Sequence, residues 1–428
     1  MFEKSLNGEA KLPLHAIRKQ AIAKFAELGF PTTKNEEWRF TNVGAIAKAE
    51  FSPALRYASN GSTARDITRF MFGGVQCTRL VFVNGHFASE FSNLPTQQGV
   101  YGGSLKSAIR SAPEIVNRHL AHYVKVDENG FTALSTAFIQ DGAFIHVEEN
   151  VEVEHPIHLV FVAAGEKSVA AHPRNLIIVG SNSKVSIVES YVSLASAPYL
   201  TNAVTEFVVG ESAIIEHDKL QDEAMDSFHI GTVHFQQGAK SNVISNAINF
   251  GGALVRNNIT VVLNGEGIES TLNGLSLATG TQLIDNHTTI DHAKPQCASH
   301  ELYKSILDGK SKGVFNGKIF VRKDAQKTDA KQTNKTLLLS DDATIDTKPQ
   351  LEIFADDVKC THGATVGHLD EEQLFYLRSR GIGLEEANDL LTFAFASDVI
   401  NRVHIEALRE QLDGMVHEKL RHGRTLGG

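Results

Sequence analysis

Hydrophobic and polar positions follow three different rhythms along the chain. Between Leu12 and Leu28 the apolar residues Leu14, Ile17, Ala21, Phe25 and Leu28 recur at helical spacing, and Gly29 follows as a stop signal. From about Leu80 to Cys360 the rhythm changes to short β-prone runs, among them Phe144–Val147, Leu176–Val179, Val204–Val209 and Ile259–Leu263, bounded by turn residues. Helical spacing returns at Asp370. Asp370-Glu-Glu-Gln reads as an N-cap with a Gln placed to bond back, followed by Leu374, Tyr376 and Leu377. Gly381-Ile-Gly383 breaks that helix, and a second one carries Ala387, Leu390, Leu391, Ala394 and Phe395 on one stripe. The two stripes pack either on the chain's own body or on a partner, and spacing alone does not choose. The basic, glycine-bearing tail Lys419–Gly428 is expected to fray.

A glycine turn followed by a fresh β run recurs at Gly180, Gly210, Gly238 and Gly265, at intervals of 30, 28 and 27 residues. That period marks a solenoid, in which each coil buries apolar side chains inside and leaves polar ones outside. A pair of β-sandwiches prefers shorter turn spacing. The expected fold is therefore mainly β, a right-handed parallel β-helix flanked by N-terminal and C-terminal α-helical regions. The expected divisions are residues 1–75, 76–365 and 366–428.

Composition narrows the function. A net charge of −9 argues against binding to a nucleic-acid backbone, which needs clustered Lys and Arg. The first residues carry no apolar block of signal-peptide length, and no run approaches the ~18–20 apolar residues of a membrane helix. A cytoplasmic protein without membrane contact is the expectation. Three cysteines, Cys77, Cys297 and Cys360, are too few and too scattered for a disulfide framework, so each is a packing residue or a reactive thiol.

Among candidate chemistries, Cys360-Thr361-His362 stands out. Side chains two apart on a strand face the same way, so a thiol and an imidazole project together, and both suit iron, zinc or sulfur. Two ligands do not close a tetrahedral site, so others must come from elsewhere in the fold or from another subunit. His287, His292, Cys297 and His300 lack tight ligand spacing and read as structural, as do His155 and His158 around Pro156. Gly309-Lys-Ser imitates the end of a phosphate loop, but Lys304 stands where that loop needs glycine, so the chain is not expected to bind nucleotide. No Gly-x-Ser-x-Gly elbow or His-Glu-x-x-His helix is present. An incomplete catalytic set favours a scaffold.

Longer motifs carry a resemblance. Lys34-Asn-Glu-Glu-Trp-Arg-Phe-Thr, His300-Glu-Leu-Tyr-Lys, Phe315-Asn-Gly-Lys, Thr328-Asp-Ala-Lys-Gln-Thr-Asn-Lys, Asp346-Thr-Lys-Pro-Gln-Leu-Glu-Ile, the segment from Ala355 to Gly367 and Leu374-Phe-Tyr-Leu-Arg-Ser-Arg-Gly-Ile are similar to those of the SufB/SufD family of iron–sulfur cluster assembly proteins. Thr361-His-Gly-Ala-Thr resembles the SufD branch. The resemblance implies a non-catalytic scaffold whose β-helix pairs with SufB and whose C-terminal helices dock the SufC ATPase. That docking would fall to Leu374, Tyr376, Leu377, Arg378, Arg380, Leu390 and Leu391. It further implies a nascent iron–sulfur cluster, transient and shared with SufB, with His362 and Cys360 as the residues of this chain that handle it. An isolated chain could form a homodimer. The alternatives are a stand-alone homodimeric metal-binding β-helix scaffold and a β-helix enzyme acting on polysaccharide.

Overall fold

The computed structural model describes residues 14–425, so Leu12 and the ends of the first and last expected regions lie outside the described residues. Period-two alternation between turns builds a two-sheet parallel solenoid. One sheet, called sheet I, ends in the strands Leu254–Leu263, Leu283–His292, Lys312–Val321 and Thr344–Ile353. The other, sheet II, ends in Glu269–Ala278, Ala298–Leu307, Thr328–Leu338 and Val358–Gly367. Successive strands alternate between the sheets, and each pairs in parallel with the strand one coil away, as in Ile215↔Val243↔Ser270. Between the sheets, Val185, Ile187, Ile215, Val243, Phe207 and Phe235 form ladders, with the two phenylalanine rings stacked at 4.4 Å. Each such buried side chain contributes about 1.5–3 kcal/mol.

The glycine ladder is a corner of the coil. The N–H groups of Gly180, Gly210 and Gly238 each donate at 2.8 Å to a carbonyl one coil back, those of Val147, Val179 and Val209. Two residues on, Asn182, Ser212 and Lys240 hold φ of 58°, 58° and 56° and donate to the following coil. A Cβ on Gly210 would stand 2.6 Å from the Ser181 backbone nitrogen. Gly210→Ala is therefore expected to cost about 1–3 kcal/mol, read as a lower thermal midpoint with unchanged circular dichroism before the transition.

Helix Leu14–Leu28 ends at Gly29 with φ +64°, as its spacing predicts. Helices also occur where the sequence reads as β: Leu105–Ser111, Pro113–His119 and Gly130–Ala137. They are short, and packing decides them, with Leu105, Ala108 and Val116 covering Phe144, Leu176 and Ile178. Strand Thr78–Val83 already belongs to sheet II.

The only tryptophan anchors a strap on the outer face of sheet I. Trp38 is buried, with the Arg256 guanidinium 3.9 Å from its ring centroid. Arg256 donates at 2.7 Å to both the Glu37 carbonyl and Asp285 Oδ2. Thr41 also bonds Asp285, Asn316 reaches Glu37 at 3.4 Å, and Lys348 meets Glu36 at 2.8 Å. One short segment thus ties together four successive strands of sheet I.

The outer face of sheet II is covered by helices Leu384–Ile400 and Glu406–Thr425, whose Ala396, Val399, Ile400, Leu408, Leu412 and Val416 pack on Leu220, Ile248, Leu275, Leu277 and Ile306. Of the stripe read from spacing only Ala387 is buried, because the covering face is rotated towards Thr392, Ala396 and Val399. Of the tail expected to fray, the residues up to Thr425 continue the last helix, with Lys419 paired to Asp222 at 2.8 Å, and residues 426–428 lie outside the described residues. Among the described residues no helix is long and apolar enough to cross a membrane.

Candidate functional site

Strand Val358–Gly367 ends sheet II and pairs on one edge only, with Thr328–Leu338. Register sets the direction of its side chains. Cys360 lies beside Ala330 and His362 beside Gln332. Ala330 and Gln332 are buried between the sheets, so the thiol and imidazole share the inward face, as alternation predicts. No further coil covers them. His362 is exposed at the rim, whereas Cys360 is half-buried against Val321, Ala325 and Ala330.

Burial pushes the Cys360 thiol up, nearby Asp329 adds to this, and a backbone hydrogen bond at Ala330 opposes it. The thiol is protonated at neutral pH and must give up its proton to ligate a metal. Among the described residues no group of three or more His, Cys, Asp or Glu is placed to hold a metal ion, so Cys360 and His362 do not by themselves make a closed metal site. Around the mouth, Phe354 and Val366 are 59% and 49% exposed, and the Phe354 and Phe320 rings meet at 5.4 Å. Strand Thr344–Ile353 leaves the matching edge of sheet I unpaired. The described solenoid therefore ends in two open strand edges, an apolar rim and a thiol and an imidazole on one face.

The other candidates do not converge. His292 is buried and shares a 2.9 Å hydrogen bond with Ser299, and Cys297 donates to the Gly265 carbonyl at 3.2 Å. His287 lies on the opposite side of its strand, 3.1 Å from Asp285 and 3.4 Å from Glu37, and His300 is exposed on sheet II. His158 is buried on Ser190 and stacked at 4.6 Å on Phe72, and His155 makes no site with it.

Helix Glu371–Ser379 begins where expected, with Asp370 accepting from the Glu372 and Gln373 N–H groups, and it has no buried residue. Tyr376 and Leu390 are 58% and 44% exposed, Leu374, Leu377 and Leu391 are half-buried, and Arg378 and Arg380 are exposed. Phe375, which helical spacing places off the expected stripe, is the most open apolar side chain here at 75%. Its signal was an aromatic residue on an otherwise polar face.

Sequence reasoning also missed Glu301 and Gln332, which face the interior beneath His362 and bond at 2.7 Å. Reading Leu302 and Ile306 as the core parity turns Glu301 outward. In fact those two leucine-type residues face the covering helices.

A family model described as the SufBD core domain of SUF system FeS cluster assembly matches residues 161–395, and one described as the SufBD N-terminal region matches residues 2–159. The chain is 34% identical over 412 residues to an iron–sulfur cluster assembly SufBD family protein of Synechocystis, covering 92% of this chain and 88% of that one. It is 32% identical over 407 residues to the iron–sulfur cluster assembly protein SufD of Escherichia coli, covering 94% and 92%. The Bacillus subtilis SufD is 28% identical over 424 residues, covering 95% and 94%.

Proposed function

This chain belongs to the SufBD family of iron–sulfur cluster assembly proteins, and we propose that it serves the SUF system as a SufD-type, non-catalytic scaffold. One observation carries the reading: an accessible imidazole and a half-buried thiol share the uncapped end of the solenoid, with two strand edges open beside them. Unpaired strand edges are templates for another chain, and a partial ligand set gains meaning when a second chain completes it. SufB is the proposed partner. The nascent cluster is cargo formed across that joint, with His362 as the main ligand from this side and Cys360 the second.

Nucleotide turnover is assigned to a SufC ATPase docked on the C-terminal helices, with a cytoplasmic setting. The exposed Phe375, Tyr376 and Leu390, flanked by Arg378 and Arg380, suit an apolar groove with an acidic rim. Gly381, at φ +90°, lets helix Glu371–Ser379 turn against the helix that follows. Movement of the docked ATPase would then rotate the two scaffolds and open their joint.

Co-purification with SufB and SufC tests the assembly. Replacing both Phe375 and Tyr376 with Ala is expected to weaken ATPase binding at least tenfold, about 1.4 kcal/mol, with unchanged circular dichroism. Equal affinity for the double variant would remove this helix from the docking surface. The open edges also suit a second copy of this chain, and mass measurement with and without SufB distinguishes the two arrangements.

A further inference from the structure

The solenoid interior holds polar groups where a β-helix core is ordinarily apolar. In the middle coils many of them close on one another. Lys219 Nζ donates to Asn257 Oδ1 at 2.7 Å and lies 2.9 Å from His229 Nε2, while His229 Nδ1 meets Glu223 at 2.7 Å and Tyr191 donates to Glu189 at 2.8 Å. Glu189 Oε1 and His217 Nε2 of these coils lack a hydrogen-bond partner among the described residues, and the last coils hold a larger and continuous set of such atoms. Thr288 Oγ1, Glu301 Oε1, Tyr303 Oη, Gln332 Oε1, Asn334 Oδ1 and Thr336 Oγ1 have no hydrogen-bond partner among the described residues, although none of these side chains is more than 4% exposed. Three of these oxygens belong to a carboxylate or an amide and act as acceptors. Buried polar atoms that lack a protein partner are ordinarily answered by ordered water.

Their placement is continuous. Gln332 lies between His362 and Glu301 in the strand register, and Asn334 lies between Ala364 and Tyr303. With strands about 4.8 Å apart, neighbouring members of the file are farther apart than one hydrogen bond and close enough for a single water to bridge. Gln332 Nε2 donates to Glu301 Oε2 at 2.7 Å, and a Cβ on Gly317 would stand 2.2 Å from that nitrogen. Glycine at 317 therefore gives Gln332 its room.

We propose that the last coils enclose ordered water held by these six oxygens and continuous with the His362 rim, and that Glu301 is the inner group that takes up and returns a proton. The inference deepens the proposed function and rests on its reading of the rim as the assembly end. At about three hydrogen bonds per buried water, two or more waters satisfy the six atoms. Glu301 accepts a proton from the adjoining water as that water receives one from the next. The net change is one proton moved from rim to carboxyl, with no bond between heavy atoms altered.

The groups facing Glu301 are Leu272 on the preceding coil, Gln332 on the following one, Tyr303 on its own strand and Thr288 from sheet I, none of them a charged neighbour. Burial pushes its carboxyl up to about 7; the Thr288 hydroxyl, close to it but not in hydrogen-bonding geometry, and the Gln332 amide pull the other way. It can therefore hold or release a proton near neutrality.

The test uses the full chain alone. A crystal structure that resolves solvent is expected to show water within hydrogen-bond distance of Glu301 Oε1. Infrared spectra are expected to show a carboxylic-acid carbonyl band that fades as pH rises with a midpoint at about 7. That band should shift in heavy water within the mixing time and vanish in Glu301→Gln. Gly317→Ala, which displaces Gln332, should move the midpoint while leaving the band. A dry interior, a missing band, or a carboxyl proton that exchanges only on global unfolding overturns the inference. These readouts need no cluster, so their failure sinks the relay alone. Normal assembly by a His362 variant would instead sink the proposed function and leave the hydration standing.

Discussion

Replacing His362 with Ala is expected to leave the complex with SufB and SufC assembled and to cut cluster formation at least tenfold. The ring is exposed, so its loss should change stability by no more than about 0.5 kcal/mol. Its chemistry has no replacement. Even groups that only orient a metal ligand are worth about 10–100-fold, and a ligand should be worth at least as much. Thr361→Ala is the matched control, because Thr361 faces away from the interior on the same strand. Cys360→Ser should fall between the two if the half-buried thiol joins the set after losing its proton. Cluster yield on reconstitution, followed by absorption, reads all three.

Arg256→Ala is expected to destabilise the chain by about 3–5 kcal/mol, the cost of breaking a buried ion pair from one side. Asp285 is fully buried and keeps His287 and Thr41 as neighbours. Burial alone would raise its pKa, but Arg256, with His287 and Thr41, pulls it down to about 2. A carboxylate depressed in the folded state contributes stability above its unfolded value of 3.8, and that contribution is lost as pH falls through about 2. Removing Arg256 therefore costs most near neutral pH. The deficit should shrink as the pH is lowered towards 4, where the orphaned carboxyl takes up a proton. Adding Asp285→Asn should recover part of the loss. The strap from Glu36 to Thr41 should also loosen, since Arg256 holds both Trp38 and the Glu37 carbonyl. Urea denaturation at two pH values, with proteolysis near Trp38, measures both effects.

Much of the fold was legible because backbone demands leave marks in the sequence. Gly210 is a glycine because the neighbouring coil's backbone passes within reach of any Cβ there, and that demand recurs once per coil. Cys360 and His362 were legible because a two-residue spacing on a strand fixes a common face. The faces themselves were harder. In Ala298–Leu307 the apolar Leu302 and Ile306 point outward under the C-terminal helices, while Glu301 points in. A sheet covered on both sides erases the contrast that identifies its core. The short helices between 105 and 137 were missed for a related reason, since packing stabilises them more than their own spacing does: the first two lie on Phe144 and Leu176, and Gly130–Ala137 packs through Phe131 beside Trp38. The strap was visible as a motif, but its role depends on Arg256 and Asp285, more than 200 residues away in sequence.

Hydrogen exchange along Val358–Gly367 and Thr344–Ile353, with and without SufB, addresses most directly whether the open end of the solenoid is the assembly surface. Protection of those amides by tenfold or more on mixing, centred on the strand that bears His362, is the expected outcome. Unchanged exchange at both edges in a complex shown by mass to have formed would contradict it.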